Sequence, residues 1–360
     1  MLERNIENEL FHLYYDTEPA VLERLDLCRG DDDFRCVYIT DDGKAKLAIK
    51  HTSNTFTDAE RVRCWARLMD EYNKLGIYCP RIVTNKHGER IYEYTEDGRE
   101  YLVYAEEFSK YDTAEHIGVD GLRDENGRPS YIDDMLRSVG KVAAARFDFM
   151  KFRSAYCLLE PFCEPDTTDE GTECAEAFFA FVKEELPGYS ARADKLKKLY
   201  YANQEALRNV YAALPESCFQ ADLGPSNVLL DGENKFAGLI DFNLSGREPV
   251  LNYTVRAALW KIYDNRLYNR DDGDRELFWY DDALDRIRIN EFLHNIECIE
   301  EFYDFSDTER AVFPVLFRYM NSFWWQHTRE IKRIKDDDAK ITMLLDWLEH
   351  QMTRDDIRLP

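Results

Sequence analysis

The residues of this chain best suited to chemistry lie within 219–242, which reads FQADLGPSNVLLDGENKFAGLIDF. Asp222 is followed five positions later by Asn227. An apolar run, an Asp231-Gly232 turn and a second apolar run then lead to Asp241. Short apolar runs on either side of Asp-Gly predict a β-hairpin. A hairpin brings its two ends together, so Asn227 and Asp241 become neighbours with Asp222 just upstream. Oxygen-bearing side chains grouped in this way can hold a hard cation next to a proton acceptor.

That order and spacing resembles the protein kinase-like phosphotransferases, in which a catalytic-loop Asp, an Asn five positions on and a later Asp-Phe form the centre. The closer resemblance is to the aminoglycoside phosphotransferase and choline kinase branch, with its Gly-Asp-Leu-x-Pro-x-Asn run and its Ile-Asp-Phe. Here the runs are Ala221-Asp222-Leu223-Gly224-Pro225-Ser226-Asn227 and Ile240-Asp241-Phe242. The resemblance implies an α+β, bilobal protein kinase-like fold with a small antiparallel β-sheet in the N-lobe and a mainly helical C-lobe. It also implies ATP as donor, Mg²⁺ as cofactor and a small-molecule hydroxyl as acceptor. Asp222 then takes the hydroxyl proton or holds the hydroxyl in line, and Asn227 and Asp241 bind the metal. One position departs from the pattern: Gln220 stands where the family has His two residues before the catalytic Asp. A Gln amide both donates and accepts, so it can take over part of the loop-scaffolding role. The departure keeps a second reading open, a kinase-fold protein that binds a nucleotide or a partner without catalysis.

The elements that position this centre lie upstream. Lys46-Leu47-Ala48-Ile49-Lys50 alternates as a strand and ends in a lysine, and the resemblance gives Lys50 the grip on the nucleotide phosphates. A helix is predicted over 58–75, with a Thr57/Glu60 capping box and a core face of Val62, Trp65, Ala66, Met69 and Tyr72. Kinase-like enzymes place one acid on this helix to orient the lysine. Glu60 and Glu71 both qualify, about 16 Å apart along the axis, and Glu60 is preferred. After two more strands, the Glu106–Ser109 stretch reads as the linker between lobes; by analogy Glu106 C=O and Phe108 N–H face adenine. The boundary expected from this is an N-terminal nucleotide-binding lobe over 1–108 and a helical lobe over 109–360. The 29–34 turn, with one glycine and three aspartates, reads as a solvated acidic hairpin turn in the place where phosphate-covering loops sit. Asn252 is expected to brace the catalytic loop, acids within 164–176 to line the acceptor pocket if not simply solvated, and Phe323, Trp324 and Trp325 either to stack on a substrate or, the preferred reading, to be packed core.

Composition narrows the partners. With 360 residues and a net charge of −24, the chain lacks the clustered Lys and Arg that nucleic acids and anionic membranes require. Residues 1–108 carry −8 and the remainder −16, nearly equal densities, so the charge marks solubility more than a focused pocket, although it would attract a cationic substrate. No apolar run approaches the roughly 20 residues of a membrane span, and the N-terminus has no signal-peptide core. Nine cysteines without paired spacing read as free thiols rather than zinc ligands. A cytoplasmic enzyme is the expectation.

Overall fold

The computed structural model describes residues 6–30, 32–267 and 281–360. Its first part is a six-stranded antiparallel sheet with a helix on each face. Helix α1 (Ile6–His12) precedes β1 (Ala20–Asp26), β2 (Phe34–Asp41) and β3 (Lys46–Ser53). Helix α2 (Ala59–Lys74) follows, then β4 (Ile82–Val83), β5 (Tyr92–Glu96) and β6 (Arg99–Glu107). The strand order is β1-β2-β3-β6-β4, with β5 also paired to β6. Alternation makes two faces. Cys36, Tyr38, Leu47, Ile49, Val103 and Ala105 pack with Leu10, Phe11 and Tyr15 of the α1 region, and the opposite face is left for α2. The sharp turn between β2 and β3 uses Gly43 at φ 82°, with Asp42 Oδ1 accepting the Lys44 and Ala45 N–H groups. In the 29–34 turn Asp33 pairs with Arg35 at 2.6 Å; Asp31 lies outside the described residues.

Helix α2 buries the face that its spacing predicts, Val62, Trp65, Ala66, Met69 and Tyr72. That face joins the large core of the helical part rather than a separate small one. Burying an indole of this kind is worth about 3–5 kcal/mol against alanine, so Trp65→Ala would loosen both parts at once. The helix starts one residue later than the expected capping box requires. Asp58 is the N-cap, accepting the Arg61 N–H at 2.8 Å, and Glu60, two residues past the cap, is exposed.

Beyond β6 the chain is helical around small hairpins. Strand β7 (Asp112–Thr113) and α3 (Ala114–Ile117) lead to α4 (Ile132–Ala145), α5 (Glu170–Glu185) and α6 (Ser190–Tyr211). Strands β8 (Glu216–Phe219), β9 (Val228–Leu230), β10 (Phe236–Leu239) and β11 (Gly246–Pro249) come next. Helices α7 (Val250–Trp260), α8 (Asp282–Glu300), α9 (Asp307–Met320), α10 (Trp325–Arg333) and α11 (Asp338–Thr353) complete it. The Ser306/Glu309 capping box of α9 is present in both directions. Phe323 is core, packed on Phe178 and Phe179. A close backbone approach joins the two parts. The Tyr78 N–H donates to Ala237 C=O (3.0 Å), and the Leu239 N–H donates to Tyr78 C=O (2.9 Å). A side chain at Gly238 would put Cβ 1.8 Å from the Tyr78 carbonyl oxygen, so only glycine fits. No helix among the described residues is long and apolar enough to cross a membrane.

Candidate active site

The β9–β10 hairpin forms where Asp231-Gly232 predicts it. Asp231 Oδ1 accepts the backbone N–H groups of Glu233 and Lys235, an Asx-type turn that the side chain stabilises locally. Val228 lies opposite Leu239, and the Ile240 N–H extends the pairing to Asn227 C=O at 3.0 Å. Asn227 and Asp241 therefore flank the hairpin mouth. Asn227 Nδ2 donates to Asp222 Oδ2 at 2.9 Å, and the Gly224 N–H donates to Asp222 Oδ1 at 3.1 Å. These contacts aim one carboxylate and fix the loop around it.

Gln220 is fully buried. Its Nε2 donates to Ile240 C=O (3.0 Å) and Asp241 C=O (2.7 Å), and its backbone N–H donates to the Tyr72 hydroxyl of α2 (3.1 Å). The amide thus ties the loop before Asp222 to the strand end carrying Asp241. Asp241 itself sits at φ 55° and Ala221 at φ 77°, a left-handed region that costs an L-residue about 1–2 kcal/mol. A further brace comes from Lys261, buried at the end of α7, whose Nζ donates to Leu223 C=O at 2.6 Å. Asn252 does not play that part: its Nδ2 reaches Tyr156 C=O and the Glu248 carboxylate. It stands inside a buried network in which Arg256 pairs with Glu248 at 3.0 Å because both charges need compensation away from water.

Lys50 reaches this centre from β3. Its Nζ is 3.0 Å from Glu106 Oε1 and 3.6 Å from Asp241 Oδ1, with the Tyr104 ring 5.7 Å away. Burial alone would discharge the amine, but Glu106, Tyr104 and Asp241 hold its pKa well above the ordinary lysine value. The acid beside the lysine therefore differs from the one expected. Glu60 is exposed in the first turn of α2, and Glu71 pairs with Lys74 at 2.8 Å. The α2 face turned inward is apolar apart from Arg61, which leaves the place to the side chain of Glu106 on β6. The adenine-facing pair also changes. The Phe108 N–H donates to Lys46 C=O at 3.0 Å, and the antiparallel alternation makes Ala48 and Glu106 the next hydrogen-bonded pair. Both backbone groups belong to the sheet, so the linker starts after Phe108, where Ser109 Oγ donates to Tyr111 C=O and accepts its N–H.

A cavity of about 560 Å³ opens from Asp222 into the helical part. Tyr156, Glu170, Lys261, Trp260, Trp324 and Trp325 line it, so two of the three aromatic residues expected in the core face the cavity instead. Trp260 packs edge-on against Tyr156 (5.1 Å) and Trp324 (5.4 Å). Asp285 and Glu330 deeper in the wall are matched by Arg354 and Arg333 at 2.9 and 2.8 Å. Glu170 and Asp222 form no ion pair among the described residues. Burial pushes the Glu170 carboxyl up, with Arg256 opposing. Glu170 comes from the stretch of acids singled out in the sequence; the contacts of the Glu106 side chain, the Tyr72 hydroxyl and Lys261 were not legible there, because no local motif marks a partner supplied by strand register or by a distant helix.

The donor set at the hairpin mouth, one carboxylate and one amide held by fixed backbone, is hard oxygen chemistry and suits Mg²⁺. The model of the phosphotransferase enzyme family matches residues 27–260. No curated protein matches the sequence. Among solved structures, a microcompartment-associated aminopropanol kinase has a TM-score of 0.54 at 12% identity, covering 96% of this chain and 94% of that one. An amicoumacin kinase solved with AMP-PNP, Ca²⁺ and Ami has a TM-score of 0.50 at 11% identity, covering 98% and 93%. At such identities the likeness is one of fold, the bilobal kinase-like arrangement.

Proposed function

Because the chain belongs to the phosphotransferase enzyme family, we propose that it is a small-molecule kinase that transfers the γ-phosphoryl group of ATP to a hydroxyl of an amine-bearing acceptor. The observation that carries this reading is a single continuous arrangement: Lys50 beside Asp241, and Asp222 on the wall of the adjoining cavity. Lys50 neutralises the phosphates across the cleft. Asn227 and Asp241 are the residues that would hold Mg²⁺, which would supply charge compensation for the nucleotide phosphates. Asp222 faces the acceptor and takes its proton or orients it in line.

The acceptor side supports an ammonium. Glu170 and Asp222 are the carboxylates at the reacting end that lack ion-pair partners among the described residues, and Tyr156, Trp260 and Trp324 offer ring faces or edges beside them. A cation there gains from both the carboxylates and the aromatic surface. The aminopropanol kinase of similar fold makes amino alcohols the first class to try. The lobes divide at 108/109 under this reading, and free thiols throughout suit a reducing cytoplasm.

The test is a phosphoryl-transfer screen with MgATP against amino alcohols, aminosugars and neutral pentoses, run beside MgATP-dependent thermal shifts. Wild type should show a shift that Asp241→Ala loses, and Asp222→Asn should keep the shift while transfer disappears. A protein indifferent to millimolar MgATP would end the kinase reading, and a preference for neutral pentoses would end the cationic one.

A further inference from the structure

In protein kinases the phosphate-gripping strand lysine is held in place by an acid on the helix that follows it. In this chain the helix has no candidate in reach. Its inward face is Val62, Trp65, Ala66, Met69 and Tyr72, Glu60 is exposed, and Glu71 pairs with Lys74. Helix α2 is also anchored away from the lysine. Arg61 Nη2 donates to Phe162 C=O at 3.0 Å, its guanidinium lies over the Phe152 and Phe162 rings, and Arg67 lies over Phe149. These contacts tie α2 to the helical part and leave no acid on it to approach Lys50.

The opposing strand supplies what the helix lacks. Lys50 lies directly across from Tyr104 in the β3–β6 ladder. Side chains on a strand alternate, so Glu106, two residues on, shares the face of Tyr104. The residue across from Glu106 is Ala48, small enough to leave room for the carboxylate to turn toward the ammonium. The side chains of Lys50 and Glu106 are 16% and 8% exposed and meet at 3.0 Å, whereas the Asp241 contact at 3.6 Å is longer and involves a more exposed partner. Buried charges separated from their partner are strongly destabilised, so the ammonium would stay with Glu106 if Asp241 were to hold a metal.

We propose that the Glu106 side chain is the positioning residue for Lys50, replacing the helix acid of other kinase-like enzymes and fixing the phosphate-binding cation to the sheet itself. This rests on the small-molecule kinase reading above. Its consequence is that alignment of the lysine depends on the β3–β6 register and not on the placement of α2. Glu106 acts through Lys50 and has no separate role with the acceptor.

A double-mutant cycle tests it, with MgATP turnover measured on the best acceptor from the screen and with water as acceptor. Glu106→Gln, which keeps the shape but removes the charge, should lower kcat by about tenfold or more while the KM for MgATP changes much less. Glu106→Asp should restore part of the loss, and Glu60→Gln should match wild type. In a Lys50→Ala background, Glu106→Gln should change turnover by no more than about twofold, because residues acting as one unit are not additive. Equal fold losses from Glu106→Gln with and without Lys50, or wild-type kcat in Glu106→Gln, would overturn the proposal. A MgADP thermal shift retained in Glu106→Gln shows that the variant is folded and binds. If wild type neither turns over MgATP nor shifts with it, the kinase reading fails; if wild type is active and the cycle is additive, this inference alone fails.

Discussion

Replacing Gln220 by Met removes the two side-chain N–H donors that join the catalytic loop to the end of the hairpin, at nearly constant volume. Ile240 C=O and Asp241 C=O lose partners at 3.0 and 2.7 Å. Each unpaired, partly buried carbonyl costs about 1–3 kcal/mol. Against this, the substitution also removes Gln220 Oε1, a buried acceptor without a partner among the described residues, which recovers part of the loss. A net destabilisation of about 2–3 kcal/mol follows. With an unfolding entropy of roughly 2.1 cal/mol/K per residue, a chain of 360 residues melts about 3–4 °C lower. The effect on turnover should exceed the effect on stability. Asp241 is held at φ 55° partly by these bonds, and its carboxylate leaves Lys50 and the position proposed for the metal if the backbone relaxes. MgATP turnover is expected to fall at least tenfold. Gln220→Glu should be worse than Gln220→Met, since it points an acceptor at two carbonyl oxygens. Circular dichroism melts with parallel turnover assays provide the measurement, and a Met variant that melts and turns over as wild type would refute the reasoning.

The strain at Ala221 and the buried histidines give two further expectations. Ala221 sits at φ 77°, so Ala221→Gly should relieve about 1–2 kcal/mol of backbone strain while losing about 0.4–1 kcal/mol to unfolded-chain entropy; urea denaturation should show a stability equal to wild type or up to about 1.6 kcal/mol higher, and a clear loss would mean the strain is not there. Burial lowers His51 to about 4 and His327 to about 3. Both are neutral when folded and take up protons when unfolded near pH 6.5, so stability is complete above that value and is lost as pH falls from about 6.5 toward 4. The loss between pH 7 and pH 5 should be on the order of 2 kcal/mol from each, and urea midpoints at the two pH values that coincide would contradict it.

The hairpin and the meeting of Asn227 and Asp241 at its mouth were legible because they depend on short-range chemistry. Asp231 makes its turn from its own side chain, and strand alternation then fixes which ends meet, so the juxtaposition of Asn227, Asp241 and Asp222 follows from spacing, while the roles proposed for them came from the family resemblance. The α2 core face was legible for the same reason, since helical periodicity reports one face without knowledge of its partner. What the face packs against was not, because Trp65 and Tyr72 join the core of a segment far along the chain. The lysine partner shows where such reading stops. Glu60 has the right residue type near the right helix, but a one-residue shift of the N-cap from Thr57 to Asp58 goes with an exposed position in the first turn. Glu106 instead depends on the register that sets Lys50 across from Tyr104 and Ala48 across from Glu106, and a register shift of one residue would turn its side chain to the α1 face. The same register commits the Phe108 N–H to Lys46. One non-local choice of pairing thus decides both departures, and it places the acid on a strand that Lys50 already pairs with, where it needs no movement of α2 to meet the ammonium.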